Sequence, residues 1–333
     1  MRVVVRADAG PERGTGHVMR CLTIAEALRL GGHEVALLGE VDRVEWLSRY
    51  IDDFAIDLVA CEKDQLPLDL LLEVGAERLV VDSYWIAPET ISRVNARIPT
   101  MAIIDNDARG IQATWYVDQN LGADLRDWSH LTGRILAGSR YALVRRSVLA
   151  HRVENGWEIP GRDSHVVVFM GGTDPGRYMT EVVHAIASVM PLLRLTAVTT
   201  DAQLESVCNA AAKMPHATVL GPTSDLPELL GRADAVVSAA GTSSWDVCSM
   251  GRPAVLVGVV ENQSLGLAHA LENGIATGVD ATIHGAESVG VLLAELLDNE
   301  IKREALVRNA LATFDGLGAA RVAHALESMS GTQ

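Results

Sequence analysis

The stretch GPERGTGHVMRC at residues 10–21 sets His17 directly after Gly14-Thr15-Gly16, between the strand-like RVVVR (2–6) and a helical pattern of Val18, Leu22, Ala25 and Leu28. A histidine at a strand-to-helix corner stands where α/β proteins keep their chemistry. The glycines permit tight turning and close approach, and the helix beginning beside His17 presents unpaired backbone N–H groups and the positive end of its dipole. That field favours the neutral ring, which can take a proton from water near pH 7 as a general base does. The alternative is a histidine that only caps or packs the helix start. His33, in GGHEV, opens a strand without this setting and reads as structural.

Two more loops have the composition of anion sites. GGTDPG (171–176) follows HVVVFM, and GTSSWD (241–246) follows AVVSAA. Both are small-residue loops aimed into helix N-termini, where diphosphates bind. Neither matches G-x-G-x-x-G or G-x-x-x-x-G-K-[ST], so neither a dinucleotide fingerprint nor a P-loop is expected. We assign Gly171, Gly172, Asp174, Gly241, Thr242, Ser243 and Asp246 to a nucleotide, with Thr242 and Ser243 adding hydroxyls and Asp246 one turn along. Packing of a small-residue helix start is the alternative for the last loop. Asn262 and Gln263 follow the strand AVLVGVV, at the carboxyl edge where open α/β sheets bind ligands, and their amides suit sugar hydroxyls. DSY (82–84) and DND (105–107) also end strands, which makes Tyr84 and Asp105 candidates for the same site, with turn formation the equal alternative. With Asp8, Gly14 and Gly16 these complete the expected substrate-binding set.

The elements that must carry these loops alternate regularly. RVVVR, HEVALL (33–38), FAIDLVA (54–60), RLVV (78–81) and PTMAIID (99–105) are strand-like, with helical patterns near 17–31, near 43–50 and after Pro88. Residues 106–148 are less regular. The pattern restarts with HVVVFM (165–170), LRLTAVTT (193–200), ATVLG (217–221), AVVSAAG (235–241) and AVLVGVV (254–260), again separated by helices. This alternation predicts parallel sheets. The expected class is α/β, two Rossmann-like domains facing across a cleft. The divisions are 1–150, a polar linker HRVENGWEIPGRDS (151–164), 165–315, and a terminal helix in 316–333 that crosses back to the first domain.

Bulk properties narrow the function classes. At 333 residues the chain exceeds the size of one hydrophobic core, which stops growing near about 250–300 residues. A net charge of -15 without a Lys/Arg-rich block argues against nucleic acid or an anionic membrane surface as partner. No apolar run approaches the roughly 18 residues of a membrane span, and Arg6 and Asp8 fall too early for a signal peptide, so the cytoplasm is expected. The four cysteines show no C-x-x-C pair or metal spacing and read as small buried apolar residues. No metal and no cofactor are expected, and oligomeric state is not encoded in any pattern.

Taken together, RADAGPERGTGHVMRCLTIAEAL, VDSYWI, IIDNDA with VDQNLGA, LAGSRYALVR, VVVFMGGTDPGR and AAGTSSWDVCSMGRPAVLVGVVENQ occur in the order and spacing of a known family. The chain resembles the UDP-2,4-diacetamido-2,4,6-trideoxy-β-L-altropyranose hydrolases of pseudaminic acid biosynthesis over residues 1–280. That family is related to the two-domain GT-B glycosyltransferases, including the lipid II N-acetylglucosaminyltransferase. The resemblance implies that the C-terminal domain binds UDP, that His17 is the catalytic histidine, and that Tyr84 and Asn262 contact the sugar nucleotide. Three positions depart from it: Asp246 replaces a glutamate, Asn106 replaces the second of two aspartates, and Pro11-Glu12-Arg13 replaces a serine-isoleucine segment. The implied reaction is hydrolysis of a UDP-sugar at its anomeric C–O bond. Rivals are a UDP-sugar-dependent glycosyltransferase and a non-catalytic nucleotide-sugar-binding protein.

Overall fold

The computed structural model describes residues 1–10, 14–41, 45–153, 164–172, 174 and 176–329. The altered segment Pro11-Glu12-Arg13 and most of the expected linker therefore lie outside the described residues. The chain divides into two compact units, Met1–Arg145 with Gly316–Gln333, and Arg146–Asp315.

The first unit runs β1 (Arg2–Arg6), α1 (Gly16–Leu30), β2 (Glu34–Gly39), α2 (Glu45–Asp53), β3 (Asp57–Ala60), α3 (Leu68–Glu73), β4 (Arg78–Val81), α4 (Pro88–Asn95), β5 (Thr100–Ile103), β6 (Trp115–Asp118) and β7 (Arg134–Ala137). Its seven strands form one parallel sheet in the order β3-β2-β1-β4-β5-β6-β7. Val3, Val4 and Val5 of β1 are wholly buried because helices cover both faces of a parallel sheet, which is why such strands read as unbroken β-branched runs. Residues 106–148, irregular by pattern, contain β6 and β7. The edge strand β7 is only partly buried, so it lacks the apolar run that marks the inner strands.

The second unit runs α5 (Arg146–Leu149), β8 (His165–Phe169), α6 (Tyr178–Val189), β9 (Arg194–Val198), α7 (Leu204–Ala211), β10 (Ala217–Leu220), α8 (Leu226–Gly231), β11 (Ala235–Ala239), α9 (Ser243–Met250), β12 (Ala254–Gly258), α10 (Ser264–Glu272), β13 (Thr277–Asp280), α11 (Ala281–His284), α12 (Val289–Asp298) and α13 (Glu300–Thr313). Its six strands are parallel in the order β10-β9-β8-β11-β12-β13. In each sheet the winding reverses beside the first strand, between β1 and β4 and between β8 and β11. In open α/β sheets ligands bind at the carboxyl ends of the strands that flank such a reversal.

The last helix, α14 (Gly318–Ser328), belongs to the first unit and packs on α1. Val322, Ala323 and Leu326 share a core with Val18, Leu22, Ala25 and Leu28. With the sheet on one side and α14 on another, α1 is buried almost all round, as a helix apolar on most of its faces must be. The site residues on α1 thus stand on a rigid rod. The four cysteines do not share one environment: Cys21 and Cys248 are buried, Cys61 is half-buried and Cys208 is exposed. This corrects the expectation of four buried thiols, since α7 turns Val207, Ala210 and Ala211 inward and leaves Cys208 outward.

Candidate functional site

In the first unit the two strands at the reversal each lead to a titratable side chain. β1 leads through the Gly14 turn, where φ is 69°, into α1, whose second residue is His17. β4 ends at Val81, and the next residue is Asp82. His17 Nδ1 lies 2.6 Å from Asp82 Oδ1, and both side chains are nearly buried. A carboxylate at that distance accepts Nδ1–H, which leaves the lone pair of the ring on Nε2. Among the described residues Nε2 makes no hydrogen bond. The ring is fixed by Tyr84, edge to face at 4.8 Å, and by Trp85 at 5.6 Å. Helix α1 starts without a side-chain cap and without an acid in its first turn, so its positive end meets the site directly.

Arg20, one turn along α1 from His17, ties the site together. Nε and Nη2 donate to Asp82 at 2.7 and 2.8 Å, and Nη1 donates to both oxygens of Asp105 at 2.7 and 2.9 Å. Nη2 is also 3.1 Å from His17 Nδ1. Burial works against the charge on Arg20, but Asp105 and Asp82 outweigh it and hold the guanidinium protonated well beyond its ordinary range. Asp105 further accepts the Tyr84 hydroxyl and Asn120 Nδ2. Burial pushes the Asp105 carboxyl up, yet the charge and hydrogen bonds of Arg20, then those of Tyr84 and Asn120, carry it well below the usual carboxylate range. Burial first and Asp105 second raise the Tyr84 phenol above its ordinary value. Next to this network Asp118 accepts the Asn106 and Asn120 backbone N–H groups at 2.7 and 3.0 Å.

Of the expected set, His17, Tyr84 and Asp105 come together here, with Gly14 and Gly16 in the adjoining turn. Gly16 answers no packing demand, since a Cβ there would meet no protein atom within 4 Å. Asp8 does not fit its expected role: its carboxylate is buried against Arg6 at 2.6 and 3.0 Å and accepts the backbone N–H groups of Glu40 and Asp64. It fastens the loops after β2 and β3 to the end of β1. Sequence reasoning missed Arg20, Asp82 and Asn120. The three-residue spacing of His17 and Arg20, which places both on one helix face, was the available signal.

In the second unit the two glycine loops at the β8/β11 reversal differ. The N-terminus of α6 is already occupied by an anion of the protein itself, because Asp174 accepts the N–H groups of Tyr178 and Met179 at 3.0 Å each. Asp174 is therefore a helix-capping residue, contrary to its assignment to nucleotide; Gly171 and Gly172 form the turn before it. The N-terminus of α9 has no side-chain cap, and among the described residues the Thr242 and Ser243 hydroxyls make no hydrogen bond. Asp246 lies in the first turn of α9. Gln263 reaches across to this loop: its Oε1 accepts Val259 N–H at 3.0 Å, and a Cβ on Gly241 would sit 3.1 Å from its Nε2. Gly241, Thr242, Ser243 and Gln263 thus form one surface, with Asn262 exposed beside it.

No protein-family model matches the chain. It is 22% identical over 354 residues to the spore coat polysaccharide biosynthesis protein SpsG of Bacillus subtilis strain 168, covering 99% of this chain and 98% of that protein. Among solved structures, MurG of Acinetobacter baumannii superposes with a TM-score of 0.65 at 15% identity, covering 98% of this chain and 99% of the other. UDP-GlcNAc 2-epimerase from Neisseria meningitidis, bound to UDP-GlcNAc, superposes with a TM-score of 0.69 at 11% identity, covering 99% and 100%. With two parallel-sheet α/β units matching such structures along their whole length, the chain has the GT-B fold.

Proposed function

We propose that the protein is an enzyme of cell-surface sugar biosynthesis that hydrolyses a UDP-sugar at the anomeric C–O bond, with water activated by His17. The observation that carries this reading is the His17–Asp82 pair at 2.6 Å, fixed by Arg20 and aimed so that Nε2 is the basic atom. Water attacks the anomeric carbon as its proton passes to Nε2. The C–O bond to the diphosphate breaks, its electron pair leaves with UDP, and the sugar is released with inverted configuration. Asp82 stabilises the imidazolium that forms, the role an aspartate plays behind a catalytic histidine. Diphosphate departs as a stable anion, so no second carboxylic acid is required, in contrast to paired-carboxylate glycosidases.

In this reading Tyr84 and Asp105 serve the sugar, the uncapped α9 N-terminus with Gly241, Thr242 and Ser243 serves the diphosphate, and Asn262 and Gln263 support the nucleotide sugar. The UDP-GlcNAc held by the epimerase of the same fold and the polysaccharide pathway in the name of the SpsG relative support the substrate class. The resemblance to the pseudaminic acid hydrolases points to an amino-deoxy sugar. A second reading is favoured by glycosyltransferases among the solved structures of this fold: the same base deprotonates an acceptor hydroxyl instead of water. Incubation with a panel of UDP-sugars and no acceptor separates the two. UDP and free sugar released in equal amounts support the hydrolase; turnover that appears only when an acceptor is added replaces it with the transferase.

A further inference from the structure

Arg109 is a cation that makes no ion pair with a carboxylate among the described residues, in a chain of 43 acidic and 28 basic residues. Its guanidinium lies over the Tyr84 ring, 4.7 Å from the centroid, and its Nη2 donates to the Ser83 carbonyl at 2.8 Å. Its Nε–H is buried with no acceptor among the described residues. Among the described residues the nearby carboxylates make other hydrogen bonds, none of them to the Arg109 guanidinium. Asp105 holds Arg20, Tyr84 and Asn120; Asp82 holds His17 and Arg20; Asp107 accepts the backbone N–H of Arg109, at 2.8 Å. The Tyr84 ring that carries Arg109 is also the ring packed 4.8 Å from His17. A planar, permanently charged fork one aromatic ring away from the proposed base is built for a carboxylate or phosphate, which it meets with two parallel hydrogen bonds. The stack on Tyr84 fixes the plane of the fork before any ligand arrives.

We propose that Arg109 receives an oxyanion of the substrate held at His17, either a carboxylate on the sugar or a phosphate of the diphosphate, and so determines which nucleotide sugars are accepted. The inference rests on the nucleotide-sugar reading above. Calorimetric titration of UDP, UDP-glucose and UDP-glucuronate into the His17→Ala protein, with Arg109 intact or changed to Lys or Met, tests it without turnover. A sugar carboxylate as the anion makes UDP-glucuronate the tighter ligand, and Arg109→Met weakens it by about 10- to 100-fold while UDP-glucose is unmoved. A phosphate as the anion makes Arg109→Met weaken all three ligands by a common factor of that size. In both cases Arg109→Lys, which keeps charge and loses the fork, recovers part of the loss. Arg109→Gln replaces the methionine variant if the latter melts below the assay temperature. Unchanged affinities for all three ligands overturn the inference and leave Arg109 as a strap between Ser83 and Tyr84. Failure of the Arg109-intact protein to bind any of them overturns the nucleotide-sugar reading, and this inference with it.

Discussion

Asp82→Asn tests the proposed base His17 directly, because it preserves size while removing charge. Asp82 Oδ1 serves both His17 Nδ1 and Arg20 Nη2, whereas Oδ2 serves Arg20 Nε. The asparagine oxygen therefore settles at the Oδ1 position, where it keeps two hydrogen bonds and sets its NH₂ against one donor. His17 keeps its tautomer but loses the negative charge behind it. At an effective dielectric of about 20, a unit charge about 4 Å from the forming imidazolium contributes about 4 kcal/mol, so turnover falls by about 10³-fold. This lies inside the roughly 10²- to 10⁴-fold range of a general base, and His17→Ala should fall within the same range. The double variant should be no slower than His17→Ala, since the two residues act as a unit. The assay is steady-state release of UDP, with UDP affinity measured alongside to verify the second unit and melting curves to verify the first. Turnover of Asp82→Asn within threefold of wild type, or losses that multiply in the double variant, would refute the reasoning.

Other consequences follow from the same geometry. Asp174→Ala uncaps α6 and should lower stability by about 0.5–2 kcal/mol in chemical denaturation, with UDP affinity unchanged. Gly241→Ala, whose Cβ meets Gln263 Nε2 at 3.1 Å, should displace that amide and weaken UDP by roughly fivefold, about 1 kcal/mol, as read by calorimetry. Because the Asp105 carboxyl is depressed in the fold, against its own burial, by Arg20, Tyr84 and Asn120, its stabilising effect is complete above the ordinary carboxylate range. That effect disappears only as pH falls through the depressed value, so Asp105→Asn should flatten the acid side of a stability-versus-pH curve; an unaltered curve would show that Asp105 contributes nothing. A thiol reagent should label exposed Cys208 quickly and half-buried Cys61 slowly. Cys21 and Cys248 should stay unlabelled until unfolding, burial having pushed the Cys248 thiol up to about 12, and mass spectrometry of the labelled chain checks the order.

Much of the architecture was legible along the chain. Inner parallel strands are covered on both faces, so Val3-Val4-Val5 and Val166-Val167-Val168 announce themselves as β-branched runs, and the turns between them carry glycine. β6 and β7 escaped that logic. Trp115–Asp118 ends in aspartate, and Arg134–Ala137 lies at the sheet edge, where no second neighbour demands an apolar run. His17 was legible as a candidate because its flanking glycines and the helix start are local features. Asp8 and Asp174 misled for the same reason: an aspartate beside a glycine loop looks alike whether it meets a ligand, an arginine or a helix end.

What the amino-acid order determined by itself was the inventory: two series of βαβ units, the loops at their strand ends, and a histidine at one of them. What only the tertiary structure decided was the company each side chain keeps. Asp82 lies 65 positions from His17, and Asp105 lies 85 from Arg20. They meet because β1 pairs with β4 and β4 with β5, which stacks the carboxyl ends of three strands against the start of α1. Periodicity is a property of neighbours in sequence, whereas strand order is set by the burial and hydrogen bonding of the whole sheet, so the partner of His17 could not be read from the residues around it.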